Sequence, residues 1–328
     1  MSRRSSRTKD VTTGLDWDAY ARDGYLDLGP VLDPEQIVRL CDRADALALG
    51  DVTNPAVQIQ RDTGGTYDEL APIVDSFGDR TLEYRKIQGL ESDDRFGPLV
   101  RHRTFAEVCA RQYGPHVPIA IFRAMVMNKP AGLGTHLPWH QDGGAVWALD
   151  RDPLVTIWLA LDAATRENGC LDIVPGSHRL GLLSWYGSTV ANDLVAVHCE
   201  PGEVIALPVK AGHAVLMHNW LLHRSGVNPS SSPRRAFTCC YLDGRTRNQL
   251  TGDLFPSVWG AVPDEPPPFL AYLRHENGVL RESHASAEKY ALSLVEENKK
   301  LQNVIATRPP TPAGHPTAAP ISPAESIR

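Results

Sequence analysis

The chain has 328 residues, 42% of them hydrophobic and 22% charged, an ordinary balance for a soluble globular protein of one large domain or two small ones. A net charge of −6 creates no global basic field, which argues against nucleic acid as a partner. No apolar run approaches the roughly 20 residues of a membrane span, and the basic start Met1–Lys9 leads into no apolar signal segment.

Residues 1–15 read as a disordered basic arm. The cysteines (Cys41, Cys109, Cys170, Cys199, Cys239 and Cys240) include no Cys-x-x-Cys pair. That scatter points to reduced thiols in a cytoplasmic protein, not to a zinc ribbon or a disulfide framework.

Ordered sequence is expected from Asp16, with a short helix over Asp18–Gly24 and a strand at Tyr25–Leu28. Asp33-Pro34-Glu35 has the composition of a helix start, and Ile37, Leu40, Cys41, Ala44, Leu47 and Ala48 supply the apolar face of the helix it opens. A further helix is expected over Pro98–Tyr113, ending at Gly114-Pro115. Strand-length apolar runs then take over: Ile119–Asn128, Val155–Leu161, Leu171–Val174, Val195–Cys199, Val204–Leu207, Ala214–His218 and Ala236–Leu242. Turn residues such as Pro175-Gly176-Ser177 punctuate them. The pattern predicts a mainly β protein with flanking helices, packed on a jelly-roll core within a single domain over 16–280. Beyond it, 283–305 predicts a helix with Asn298 on its apolar seam, a possible route to a homodimer. Residues 307–328 are Pro- and Ala-rich and predict a disordered tail.

The chemistry concentrates in Leu137–Gly144. A His-x-Asp triplet alone arises about once by chance in a chain of this composition, so context must supply the specificity. His140 and Asp142 are two apart, so an extended strand points both the same way. Gly143-Gly144 permits a tight exit, and His223 follows the strand and turn Ala214–Leu222. Two imidazoles and one carboxylate can hold one face of a ferrous ion and leave three positions open. Arg234 opens the next strand, where a guanidinium can take a carboxylate bidentately.

This set, with Asp23-Gly24-Tyr25, Leu32–Ile37, Met125–Pro130 and Asn168–His178, resembles the phytanoyl-CoA dioxygenase family of Fe(II)/2-oxoglutarate oxygenases over roughly Asp16–Asp243. The resemblance implies a double-stranded β-helix (cupin-like jelly roll), with His140, Asp142 and His223 as the iron ligands. It implies that Arg234, supported by Ser225, holds the distal carboxylate of 2-oxoglutarate. Gln141, Trp158 and Met125 would line that cosubstrate's pocket, with Lys86 near it, although Trp158 and Met125 suit an apolar core equally well. His102, His116, His198 and His275 read as ordinary surface or core residues, and His178 as a structural turn histidine.

The implied reaction hydroxylates, or otherwise oxidises, a small-molecule metabolite with O2, releasing succinate and CO2. Asp142 argues against halogenation, which needs a small residue there. Desaturation, epoxidation and oxidative ring closure stay open. The Ala-, Arg- and Pro-rich composition resembles that of bacterial relatives in secondary metabolism. The absence of a basic cluster suited to a CoA phosphate, and of a peroxisomal ending, argues against phytanoyl-CoA itself. Two alternatives are a metal-dependent cupin-like isomerase or epimerase, which has no need of Arg234, and a non-catalytic jelly-roll binding protein. Trp147–Asp152, Leu183–Thr189 and Gln58–Thr66 are the expected rim loops.

Overall fold

A computed structural model describes residues 14–262 apart from Thr66. The helix expected over 283–305, the tail, most of the N-terminal arm and His275 lie outside the described residues. In chain order the elements are α1 (Trp17–Asp23), β1 (Tyr25–Pro30), α2 (Pro34–Leu49), β2 (Gln58–Arg61), β3 (Ile73–Val74), β4 (Tyr84–Gln88), α3 (Gly97–Val100) and α4 (Arg103–Tyr113). They continue with β5 (Ile119–Lys129), β6 (Leu137–Gln141), β7 (Val155–Ala160), β8 (Leu171–Ile173), β9 (Ser188–Thr189), α5 (Asn192–His198), β10 (Ile205–Leu207), β11 (His213–Met217), β12 (His223–Ser225), β13 (Arg234–Asp243) and β14 (Ser257–Trp259).

The strands form two antiparallel sheets. The larger has the order β1-β11-β7-β13-β5-β4-β2-β3, with β14 also paired to β5; the smaller has the order β10-β8-β12-β6-β9. From β5 to β13 the chain passes repeatedly between them: β5, β7, β11 and β13 lie in the large sheet, β6, β8, β10 and β12 in the small one. That is the double-stranded β-helix expected from the sequence.

Strand alternation sorts the large sheet's side chains by face. On β13, Phe237, Cys239 and Tyr241 join the core under α2, α3 and α4, where they meet Leu40, Ala44, Phe96, Phe105 and Val108. Phe237 stacks on Phe96 with ring centroids 5.2 Å apart. Arg234, Thr238 and Cys240 face the other way, into the cavity between the sheets. On β5, Arg123, Met125, Met127 and Lys129 face that cavity, while Ala124 and Val126 face the helices. Because both faces are covered, these strands appear in the sequence as continuous apolar runs.

Several expectations change. The Asp33 start is a full capping box: the Asp33 carboxylate accepts from Gln36 N–H at 2.7 Å, and the Gln36 side chain accepts from Asp33 N–H at 2.9 Å. The helix expected over Pro98–Tyr113 is two. His102 adopts extended backbone (φ −60°, ψ 139°) and caps α4 with its own ring. Val195–Cys199 is not a strand but lies in and just after helix α5. A strand would bury Val197 with Val195, yet Val197 is 63% exposed while Leu194, Val195 and Cys199 pack on the core, a helical spacing. The first four residues of the expected rim loop Gln58–Thr66 form β2. His223 follows strand β11 and its turn as expected, and itself begins β12.

All six cysteines are free. No helix among the described residues is long and apolar enough to cross a membrane.

Candidate active site

The space between the sheets is a cavity of about 600 Å3. On its small-sheet wall, His140 of β6 stands directly opposite His223 of β12 in the strand register. Their ring centroids are 3.9 Å apart. The two rings are anchored identically: each Nδ1 lies 2.9 Å from the carbonyl oxygen two residues back, Pro138 for His140 and Leu221 for His223. A carbonyl can only accept, so each Nδ1 donates and each Nε2 is left with a free lone pair. Metal-ligating histidines are held in this way. Burial, reinforced by neighbouring His223 and opposed by Asp142, pulls His140 down to about 3, so the ring is neutral at ordinary pH.

Asp142 lies one residue past β6. Its backbone N–H donates to the Asn219 carbonyl at 2.7 Å, which fixes the bend. Ligand atoms of His140, Asp142 and His223 all lie within 4.8 Å of one another. Two imidazoles and one carboxylate, converging at a cavity wall, fit a divalent transition metal with open positions.

The following Gly143-Gly144 closes against a second loop. Gly144 has φ 86°, and a Cβ there would stand 2.5 Å from the Gly187 Cα. Ala145 and Val146 donate to the carbonyls of Trp185 and Tyr186 at 3.0 and 2.7 Å. This contact sets Trp147 beside the cavity mouth.

Arg234 lies at the deep end and is 3% exposed. Its Nη2 donates to the Gly169 carbonyl at 3.0 Å, but its buried Nε has no partner, and no carboxylate pairs with it among the described residues. Burial pulls it down to about 10. Lys129 is its direct cross-strand neighbour on β5. The Lys129 Nζ donates to the Thr135 carbonyl at 2.8 Å, and burial together with Arg234 pulls it down to about 7. Two buried cations side by side, one with an idle donor, fit an anionic ligand group. Arg235 has a different office: it points to the helix side, bonded to Asp162 at 2.8 Å and to Asp45 of α2 at 2.9 Å.

His140, Asp142, His223, Arg234, Ser225, Trp158, Met125 and Lys86 all border this one cavity. Gln141 does not. Its Nε2 donates to the carbonyls of Gly181 and Trp220 at 2.8 and 2.7 Å, and its Oε1 accepts from Leu183 N–H at 2.7 Å. It points away from its neighbours on β6 and pins the loops behind them. The sequence reading missed Lys129 and Arg123, although both share the Met125 face of β5 and could have been found by counting in twos. It also found no basic cluster, because Arg85 and Lys86, Arg123 and Lys129, and Arg234 come from three separate strands and meet only at this cavity.

The Asn168–His178 stretch now has a physical account. Gly169 has φ 80°, approaches the Gly226 and Val227 carbonyls too closely for a side chain, and presents its own carbonyl to Arg234. Ser177 Oγ accepts from Leu222 N–H at 2.9 Å, bracing the residue before His223. His178 packs against Gly24 and His218, and its Nε2 lies 3.3 Å from the Ala21 carbonyl oxygen, at the α1–β1 junction and off the cavity.

A double-stranded β-helix with a His-Asp-His cluster opposite a buried arginine defines a class of jelly-roll metal-site proteins. Residues 20–236 match the family model "Phytanoyl-CoA dioxygenase (PhyH)". The chain belongs to the phytanoyl-CoA dioxygenase family.

Among curated relatives, it is 31% identical over 125 residues to phytanoyl-CoA dioxygenase domain-containing protein 1 of Danio rerio, covering 36% of this chain and 43% of that one. It is 25% identical over 236 residues to the peroxisomal phytanoyl-CoA dioxygenase of Bos taurus, covering 68% and 66%. The chain spans about half the length of the first curated relatives it matches. Among solved structures, the non-heme alpha ketoglutarate dependent carbocyclase SnoK from nogalamycin biosynthesis shares 20% identity at TM-score 0.56, covering 77% of this chain and 96% of that one. EctD from S. alaskensis with 2-oxoglutarate and 5-hydroxyectoine shares 20% identity at TM-score 0.53, covering 82% and 93%. These two likenesses concern the fold.

Proposed function

We propose that this protein is a non-haem Fe(II)/2-oxoglutarate-dependent dioxygenase that oxidises a small-molecule metabolite, and that it serves bacterial secondary metabolism. The observation that carries the reaction class is the pairing of the His140-Asp142-His223 cluster with a buried arginine that has no carboxylate partner among the described residues. A metal-dependent isomerase that uses no 2-oxoglutarate needs the first and not the second. The setting in secondary metabolism is supported by the composition and by fold neighbours such as the nogalamycin carbocyclase, whose own role belongs to that protein.

In this reading His140, Asp142 and His223 would hold the iron. When bound, iron with 2-oxoglutarate and O2 supplies a two-electron oxidation: a substrate C–H becomes C–OH while the cosubstrate becomes succinate and CO2. The chain's own residues bind and orient. Arg234 takes the distal carboxylate of 2-oxoglutarate, with the Ser225 hydroxyl at the same end and Trp158 forming the wall beside it. The Pro138 and Leu221 carbonyls keep the Nε2 lone pairs of the two histidines aimed at the metal. The two covering sheets bury His140 and His223, which are 8% and 7% exposed, and so limit water at those ligands.

The test is direct. Anaerobic addition of Fe(II) and 2-oxoglutarate is expected to produce a weak visible charge-transfer band, absent in His140→Ala. No band with the wild type, and no succinate with any substrate, would sink the proposal.

Lys129 adds a pH dependence to cosubstrate binding. Arg234 of β13 and Arg85 of β4 oppose its charge and Asp62 favours it, but burial dominates and holds it near 7. A lysine lowered on folding makes the unfolded chain bind more protons between about 7 and 10, so the ligand-free protein gains stability as pH rises through that window. An anion beside Lys129 favours its charged form. 2-Oxoglutarate affinity is therefore expected to fall, by up to about tenfold per pH unit, as pH rises from about 7 to about 9. Calorimetric titration across that range checks this, with Lys129→Met expected to be flatter.

A further inference from the structure

Two buried polar atoms on the cavity face of β13 lack a hydrogen-bond partner among the described residues: Arg234 Nε and Thr238 Oγ1. The proposed function gives the first a carboxylate and leaves the second unused. Thr238 is 8% exposed. A buried hydroxyl with no partner favours any ligand able to accept from it.

The strand register sets the level of Thr238 in the cavity. Its cross-strand partners are Met125 of β5 and Trp158 of β7, and both line the cavity. Four residues toward one end of each strand lie Arg234 on β13 and Lys129 on β5. The Arg234 guanidinium carbon is 5.7 Å from the ring centre of Trp158, so the two idle donors border one continuous space. Toward the other end, the next inward-facing residue on β13 is Cys240, paired with Thr156 of β7 and Arg123 of β5. That level belongs to Asp142, and Asn219 ties it there. The Asn219 side chain donates to Cys240 Sγ at 3.6 Å and accepts from Thr156 Oγ1 at 3.3 Å, while its carbonyl accepts from Asp142 N–H at 2.7 Å.

Two residues back from Asp142 along β6 is His140; two residues back from Cys240 along β13 is Thr238. Both steps lead toward the same end, because β6 begins just past Thr135, whose carbonyl accepts from Lys129. Thr238 therefore stands at the level of the His140–His223 pair, on the opposite sheet, between Arg234 and the metal-ligand cluster. A diacid gripped by Arg234 passes Thr238 on its way to that cluster.

Building on the oxygenase reading, we infer that Thr238 is a further cosubstrate-binding residue, its hydroxyl donating a hydrogen bond to the keto-acid end of 2-oxoglutarate while Arg234 holds the distal carboxylate. The two idle donors of β13 then serve the two ends of one ligand. An α-keto acid suits both, since at neutral pH the oxygens at each of its ends accept and do not donate.

Thr238→Val keeps the side chain's shape and removes the hydroxyl; Thr238→Ser keeps the hydroxyl. Anaerobic calorimetric titration of 2-oxoglutarate into the full chain with Fe(II) is expected to show about tenfold weaker binding for Thr238→Val, the scale of one lost hydrogen bond to a charged group, with most of the loss recovered in Thr238→Ser. Ligand-free Thr238→Val is expected to melt at or above the wild-type temperature, because it sheds an unpaired buried group. At saturating 2-oxoglutarate, the maximum of the charge-transfer band is expected to move in Thr238→Val and to return in Thr238→Ser. Arg234→Met, acting on the far carboxylate, is expected to leave that maximum in place once saturated.

Unchanged affinity or an unmoved band in Thr238→Val would overturn this role. So would a lowered melting temperature in ligand-free Thr238→Val, which would give the hydroxyl a partner within the protein. Wild-type protein that shows neither band nor 2-oxoglutarate binding sinks the oxygenase reading itself. A wild-type band that Thr238→Val leaves untouched removes the role of Thr238 alone.

Discussion

Arg234→Met is expected to weaken 2-oxoglutarate binding about 100-fold and, in the ligand-free protein, to raise stability. The guanidinium is buried, one donor is idle and no carboxylate among the described residues pairs with it, so the unliganded fold carries an uncompensated charge. Removing such a charge stabilises by about 1 kcal/mol or more. Removing the charge-assisted pair with the ligand costs about 2–3 kcal/mol, which is the 100-fold in affinity. Arg235→Met is expected to do the reverse. That side chain joins Asp162 and Asp45 and ties β13 to α2, so its loss removes the cation from two carboxylates. Both are partly exposed, so the cost is discounted to about 2 kcal/mol, with cosubstrate affinity little changed. Calorimetric titration beside thermal melts reads all four numbers. Arg234→Met with unaltered affinity would transfer the carboxylate to another cation.

Gly144→Val is expected to destabilise the fold by about 3 kcal/mol or more and to displace Trp147 from the cavity mouth. The backbone at φ 86° excludes a β-branched residue, and the new Cβ would meet the Gly187 backbone at 2.5 Å, where no flexible side chain can yield. Gly132 is the control: its φ is also positive, at 68°, but nothing stands within 4 Å of a Cβ there. Gly132→Asn is expected to cost less than about 1 kcal/mol. Denaturant melts of both, with fluorescence compared against a Trp147→Phe background, separate loop collapse from general loss of stability. Equal costs at the two sites would refute the close-approach argument.

The jelly roll was legible because burial on both faces writes strands as apolar runs, and Gly and Pro punctuate them. Val195–Cys199 misled because a five-residue apolar run has no visible period, and only the exposure of Val197 distinguishes helix from strand. His140, Asp142, His223 and Arg234 were legible through local context at each position. Gln141 was misplaced for a stereochemical reason: being adjacent to His140 on a strand, it must face the other way, and its three hydrogen bonds make it a brace. The cationic lining was illegible because its members come from β4, β5 and β13, and charge summed along a chain says nothing about charge focused in a cleft.

The direct pairing of His140 with His223 across β6 and β12 has one more consequence. The two strands are only five and three residues long, and their ladder shifts register just past His223. Hydrogen bonds alone define such a short seam weakly, and a slip of one residue would turn one imidazole out of the sandwich. An ion gripped by both rings would act as a vernier, present in full strength at a single alignment. Metal occupancy would therefore double as proofreading of the small sheet, and slowed amide exchange along β6 and β12 on metal addition is the expected trace.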